Sequence, residues 1–358
     1  MKTTGTTRSP GAALAALAGA QFTVMLATSI VNVALPQIRS GVGLSDGATT
    51  WVVNAYGLAF GALLLAGGRA ADLLGRRRIL LAGLGVFAAS SLAAGLAASS
   101  AALIAARAVQ GLGAAAIAPA ALALMMEAFP AGPARGKALG VWGAVSGAGG
   151  AAGVLLGGVL TQAWGWPWIF YTVAIGAAMV LAAASATVPK VSAQVTGRFD
   201  ALGTATVTLA LTALVWGLTT ARRTGWGDSF VLGSFAVAAA LLTAFVLVER
   251  RHPHPLLPPH LFQTGRIATG NALMALLGSV WIALFFFLPL YQQQVLGDSP
   301  LTTGLGQLPL AFANMLGSTL APRISRRIGA TATVTGALLP RQPDCYGCPG
   351  STPTAATP

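Results

Sequence analysis

One charged side chain stands inside the long apolar segments of this chain: Arg107, in the run Arg107-Ala108-Val109-Gln110-Gly111-Leu112-Gly113-Ala114-Ala115. A guanidinium keeps its charge, and holding one inside a membrane costs about 3 kcal/mol or more, so it normally faces a cavity or a partner. Seven residues in from Ser100, it lies roughly 10 Å below the nearer boundary at ~1.5 Å per residue. Snorkelling to that boundary along its aliphatic stem is the plainer alternative. Asn32, Trp51, Asn54, Tyr56 and Gln110 add polar and aromatic groups at depths where a bound molecule could meet them. Such residues also serve as hydrogen-bonding contacts between helices. Bond-making chemistry finds little support. His252, His254 and His260 share one proline-rich loop far from Ser146, so no acid–base pair is assembled. Cys345 and Cys348 form a lone C-x-x-C with no second pair. The residues point to binding and charge movement, with no enzyme activity, no cofactor and no metal.

These groups are carried by an unusually apolar chain. Apolar residues make up 55% and charged residues 8%, against about 25% charged in soluble domains, which implies an integral membrane protein. The net charge of +13 invites a nucleic-acid reading. The basic residues, however, sit in short gaps between apolar runs, which is topology information, and no nucleic-acid partner is expected. Ten spans are legible, at 12–35, 49–67, 79–97, 101–126, 138–160, 168–187, 201–220, 230–248, 267–290 and 302–321. Each is long enough for a ~30 Å hydrocarbon core, which needs about 20 helical residues. The first is too long for the apolar part of a signal peptide. An eleventh begins at 330–339 and stops at Pro340.

With the N-terminus inside, the inner segments hold Lys2, Arg8, Arg69, Arg76, Arg77, Arg78, Arg135, Lys137, Lys190, Arg198, Arg250, Arg251, Arg266, Arg323, Arg326 and Arg327, and the outer loops only Arg39, Arg222 and Arg223. That asymmetry predicts a cytoplasmic N-terminus. Trp51, Trp164, Trp166, Trp168 and Trp226 fall near the outer boundary, as an aromatic belt does. The tightest inner link is Gly68-Arg69-Ala70-Ala71-Asp72-Leu73-Leu74-Gly75-Arg76-Arg77-Arg78. Gly68 would let helices approach closely, and Asp72 can cap a helix or pair with an arginine. Topogenic arginines alone would explain the charges but not the Gly–Asp–Gly spacing.

This link resembles the loop between helices 2 and 3 of major facilitator superfamily transporters, and the Arg107 run resembles the family's helix-4 motif. The segment 322–329 is a degraded echo of the link, with Arg326 in the place of Asp72. The two loops follow spans 2 and 10, where twelve-helix facilitators place them after helices 2 and 8. That spacing resembles the fourteen-helix drug:proton antiporter branch, with 201–220 and 230–248 as the inserted pair. The fifth span carries Gly149, Gly153, Gly157 and Gly158 in small-x-x-x-small spacing. It resembles the branch's helix-5 motif with Val154 replacing its proline. Leu26-Ala27-Thr28-Ser29-Ile30-Val31-Asn32-Val33-Ala34-Leu35-Pro36 resembles the helix-1 motif, except that Ala27 stands where the family has an aspartate tied to proton coupling. Trp166-Pro167-Trp168 lacks the arginine usual between those tryptophans.

The resemblance implies an all-α major facilitator fold: an N-terminal six-helix bundle over 1–188, two linker helices with a cytoplasmic loop over 189–265, an incomplete C-terminal bundle over 266–340, and a polar tail over 341–358. A premature stop or a frame shift near Pro340 would account for the short second half. It also implies a secondary multidrug exporter of the cytoplasmic membrane, working by proton-coupled antiport and alternating access. Its partners would be the lipid bilayer, protons and a small amphipathic or cationic substrate. In that scheme Gly68, Asp72, Gly75, Arg76 and Arg77 latch the inner side, Arg107, Gln110 and Gly111 form the charged element of the cavity, and Asn32, Trp51, Asn54 and Tyr56 line it. The loss of the helix-1 acid leaves a proton-independent facilitator, or a non-transporting remnant, as the alternative.

Overall fold

The computed structural model describes residues 10–189, 200–251 and 265–338, and every regular element there is an α-helix. Their order is α1 (Pro10–Val42), α2 (Asp46–Leu74), α3 (Arg76–Gly95), α4 (Ser100–Ala128), α5 (Pro133–Trp164), α6 (Pro167–Thr187), α7 (Ala201–Thr224), α8 (Ser229–Arg251), α9 (Gly265–Gln294), α10 (Pro300–Gly306), α11 (Leu308–Ile328) and α12 (Ala330–Leu338). Among the described residues, nine helices, α1 to α9, are long and apolar enough to cross a membrane. Helices are forced on such segments because a bilayer interior offers no water to satisfy backbone N–H and C=O groups. The loop with His252, His254 and His260, and the tail with Cys345 and Cys348, lie outside the described residues.

Local sequence fixes the ends. Ser45 and Ser99 cap α2 and α4 by accepting from Ala48 N and Ala102 N at 3.3 and 3.2 Å. The first helix runs seven residues further than expected, through Pro36 to Val42. The tenth expected span, 302–321, is not one helix: it breaks at Gln307 into α10 and α11. Pro309 has no N–H to continue the first helix and suits the first turn of the second. Gly75 alone joins α2 to α3 at φ 99°, and Gly329 alone joins α11 to α12 at φ 86°. Both angles favour glycine, so the degraded sequence echo carries the same one-residue joint as the first loop.

α1 packs on α5 and α6 and reaches α2, α4 and α9; α4 lies against α2 and α3; α3 lies against α6. α7 and α8 pair with each other and attach through α7 to α2, while α10 and α11 rest on α5. The core is made of large side chains at most 2% exposed, among them Leu17, Ile30, Phe87, Leu103, Ile117 and Phe170. Leu232, Leu247, Leu276 and Phe287 on α8 and α9 point outward, an apolar exterior suited to lipid.

Glycines set the closest crossings. A Cβ on Gly153 would lie 2.8 Å from Ser29 Cβ and 3.0 Å from Ile30 N and Leu26 O, and Gly149 and Gly157 meet the α1 backbone similarly. Gly158 instead abuts the Pro300 carbonyl of α10. Between α2 and α4, Gly111 meets Tyr56 O and Ala59 Cβ, and Gly67 meets Ala115 O. The residue whose missing side chain lets α2 approach α4 is thus Gly67; Gly68 has room for a Cβ, 3.6 Å from Pro119 Cβ. Replacing Gly153 by leucine must push two backbones apart, and overpacking of this kind costs about 1–3 kcal/mol or more. A clearly lowered melting temperature in detergent is expected, whereas Gly85→Ala, where nothing lies within 4 Å, leaves it unchanged or slightly raised.

Candidate functional site

The Gly111 and Gly67 contacts bring the backbone of α2 against α4 and so deliver the partners of Arg107. Its side chain is 1% exposed. Nε donates to Val52 O of α2 at 3.0 Å, Nη1 donates to Gln110 Oε1 at 2.5 Å, and the guanidinium lies 4.3 Å over the ring of Tyr56. Gln110 Nε2 donates to Ser91 Oγ at 2.7 Å, and Ser91 Oγ to Phe87 O at 2.6 Å. The cation is therefore held by a carbonyl, an amide and a π face, directed into helix packing. Snorkelling to a boundary is not what this side chain does.

Tyr56, 2% exposed, links this cluster to α1. Its hydroxyl donates to Val24 O at 3.2 Å and receives a contact from Thr28 Oγ1 at 3.4 Å. Those two α1 residues flank Ala27, itself fully buried, by one turn and one residue. A tyrosine thus bridges α1 to Arg107 beside the position where the resemblance led us to look for a carboxylate.

The remaining candidates divide between two sides. Asn32, 8% exposed, donates through Nδ2 to Phe285 O of α9 at 3.2 Å, and its Oδ1 is buried without a hydrogen-bond partner. Gln293 of α9 donates to Val33 O at 3.0 Å, a second bond from α9 to the same stretch of α1. Trp51 and Asn54 turn to α7: Trp51 meets Trp216 with ring centroids 5.3 Å apart, and Asn54 Nδ2 reaches Thr219 Oγ1 at 3.5 Å. Asn32 on one side and Trp51 and Asn54 on the other do not converge on one surface.

At the opposite end, Arg76 donates to Asp72 Oδ1 through Nε and Nη2 at 3.1 and 3.0 Å, and to Glu127 Oε2 through Nη1 at 3.3 Å. One guanidinium ties together α2, α3 and the C-terminal turn of α4. A glutamate at a helix C-terminus opposes the helix dipole, and Arg76 offsets that. Arg77 donates to Ser185 O and Val188 O, both at 2.8 Å, and Arg135 to Phe129 O and Met126 O at 2.9 and 3.0 Å. These arginines satisfy the last carbonyls of α6 and α4. The sequence reading missed that capping, and missed Ser91 and Glu127 as partners; the only signal for Ser91 was a polar pair, Ser90-Ser91, within an apolar run.

Lysine at 107 cannot present the two-pronged donor that reaches Val52 O and Gln110 together. Arg107→Lys should cost about 1–3 kcal/mol through the partner left unpaired. Tyr56→Phe keeps the π face, loses the bond to α1, and should cost about 1 kcal/mol. Melting temperatures in one detergent test the order; a larger loss for Tyr56→Phe would overturn this account of the cluster.

Comparison with known proteins agrees with this architecture. The model of the Major Facilitator Superfamily matches residues 17–340. The chain is 42% identical over 328 residues to the puromycin resistance protein of Streptomyces alboniger, covering 91% of this chain and 65% of that one. It is 40% identical to the cephamycin export protein of Amycolatopsis lactamdurans, covering 92% and 69%. The chain thus spans about two thirds of the length of these relatives. A crystal structure of a peptide transporter, POT, in complex with sulfate superposes with a TM-score of 0.61 at 17% identity, covering 88% of this chain and 68% of that chain, a likeness of fold. The chain belongs to the major facilitator superfamily.

Proposed function

We propose that this chain is an exporter of small amphipathic molecules across the cytoplasmic membrane, of the fourteen-helix drug:proton antiporter branch. The observation that carries the reading is identity of 40% and 42% to proteins named for cephamycin export and puromycin resistance. The tetracenomycin C resistance and export protein of Streptomyces glaucescens, 35% identical over 321 residues, supports the same class. The branch is supported by α7 and α8, which follow a six-helix bundle and pack on its flank through α2. In this scheme residues 1–188 form the first bundle, 189–265 the inserted pair with its loop, and 266–340 belong to the second bundle.

Alternating access needs one face of the first bundle to move against the second. Asn32 is proposed to meet substrate on that face, since its contact is with α9 and one of its oxygens lacks a partner. Arg107, Gln110 and Tyr56 would communicate between α4 and α1. Gly68, Asp72, Gly75, Arg76 and Arg77 are proposed as the inner latch: the bonds of Asp72, Arg76 and Arg77 gather α2, α3, α4 and α6 at one end, and Gly75 is the joint between α2 and α3. Proton-coupled antiport is the form the branch implies. Ala27, fully buried where that branch has an acid, favours a second reading in which export runs without proton coupling.

Inside-out vesicles carrying this chain should accumulate a fluorescent cationic dye, ethidium, and collapsing the pH gradient should abolish the accumulation. Uptake indifferent to the gradient would select the uncoupled reading, and uptake equal to that of empty vesicles would remove transport. Arg107→Ala should reduce uptake at least tenfold with protein levels maintained. The proposed orientation is checked separately: a cysteine replacing Asp72 should react with an impermeant maleimide in inside-out vesicles and remain unlabelled in intact cells.

A further inference from the structure

Helix α1 is enclosed by α2, α4, α5, α6 and α9, and between residues 16 and 38, all of them described, Thr28 alone is exposed. It lies near the middle of Pro10–Val42, the depth at which secondary transporters hold their ligands. One turn further on, and on the same face of the helix, Asn32 is covered by α9, whose Phe285 O it bonds. Both side-chain hydrogen bonds between α1 and α9, this one and that of Gln293 to Val33 O, fall on the C-terminal half of α9. Residues 269–277 in the other half of α9 are exposed. Sharing the face of Asn32, Thr28 therefore opens on the cleft between α1 and α9, just where their contact ends.

The hydrogen bonds around Thr28 say what its hydroxyl can still do. A hydroxyl carries one proton and two lone pairs. Thr28 Oγ1 donates to Val24 O at 2.9 Å, and the Tyr56 hydroxyl donates to the same carbonyl at 3.2 Å. With both protons on Val24 O, the two hydroxyl oxygens face each other at 3.4 Å with no hydrogen between them, and each keeps acceptor capacity. Bonding back to the preceding turn is ordinary for a helical threonine. Thr23 does the same to Gly19 O at 2.8 Å, but it is 3% exposed and meets no ligand. Tyr56 is buried as well, so of the two facing hydroxyls Thr28 is the one on the open side. An acceptor placed there selects a molecule that brings an N–H or O–H. Met25, one turn back and half-buried, adds an adaptable apolar surface beside it.

We infer, on the exporter reading above, that Thr28 accepts a hydrogen bond from the transported molecule, which therefore carries an amine, amide or hydroxyl donor on an apolar frame. The test uses the full chain in nanodiscs, with Cys345 and Cys348 replaced by serine. Thr28→Cys should react with a small water-soluble thiol reagent, 2-aminoethyl methanethiosulfonate, and ethidium should slow that reaction. Ala27→Cys, at a fully buried position, should not react. Ethidium, whose aromatic amines are donors, should bind Thr28→Val about three- to tenfold more weakly than the parent, the range set by one hydrogen bond. Thr28→Ser should bind it as the parent does. Tetraphenylphosphonium, a cation with no N–H or O–H, should bind the parent and Thr28→Val alike. Variants are compared only where their elution in gel filtration matches the parent. An unreactive Thr28→Cys, a reaction that ethidium leaves unslowed, unchanged ethidium affinity in Thr28→Val, or equal losses of both ligands would each overturn the assignment. The exporter reading fails separately: this pattern of binding in a chain that accumulates no dye in vesicles would keep Thr28 as a ligand contact and remove transport.

Discussion

Contact between helix backbones with no side chain between them is the constraint on which this structure rests. In a bilayer, apolar surface gains little by leaving lipid for protein, so helices associate through close packing and hydrogen bonds. Gly111 and Gly67 let α4 and α2 approach until Val52 O is within reach of Arg107, and Gly149, Gly153 and Gly157 do the same for α5 and α1. The buried guanidinium is a consequence of that closeness. Without the α2 carbonyl it would keep Gln110 and the face of Tyr56 but lose the one acceptor fixed in the helix backbone.

Arg107 also shows how a buried cation can be accommodated without a carboxylate. Val52 O, Gln110 Oε1 and the Tyr56 ring are each weaker than an ion pair, but they arrive from two helices and are already oriented. Ser91 and Phe87 O hold Gln110 in turn, so the network reaches α3. Tyr56 is central because it serves both sides: its face receives Arg107 and its hydroxyl bonds α1. The charged cluster at the other end is of another kind. Asp72, Arg76 and Glu127 are each partly exposed, and pairs of that sort are individually weak; their effect is to gather three helix ends, with Arg77 adding a fourth.

Much of the fold was legible because membrane helices announce themselves by length and hydropathy alone, and nine of the expected spans correspond to single helices. The tenth was misread because its average hydropathy hid Gln307 and Pro309, which end one helix and start another. Side-chain direction was less legible. Asn32, Trp51, Asn54 and Tyr56 look alike when judged by depth, yet they face α9, α7, α7 and the core, since facing depends on where a helix is rotated by its neighbours. A one-residue error separated Gly68, where the motif drew attention, from Gly67, where the backbones touch. Charge counting treated Arg77 and Arg135 as topological marks and could not reveal that they close helix ends.

The joints at Gly75 and Gly329 bear on how the molecule can move. A connection of one residue stores no slack: a tilt of α2 is passed at once to α3, and one of α11 to α12, with only two backbone torsions to absorb any mismatch. At these two joints a change in the angle between the paired helices has to pass through a single swivel, with no loop to take it up.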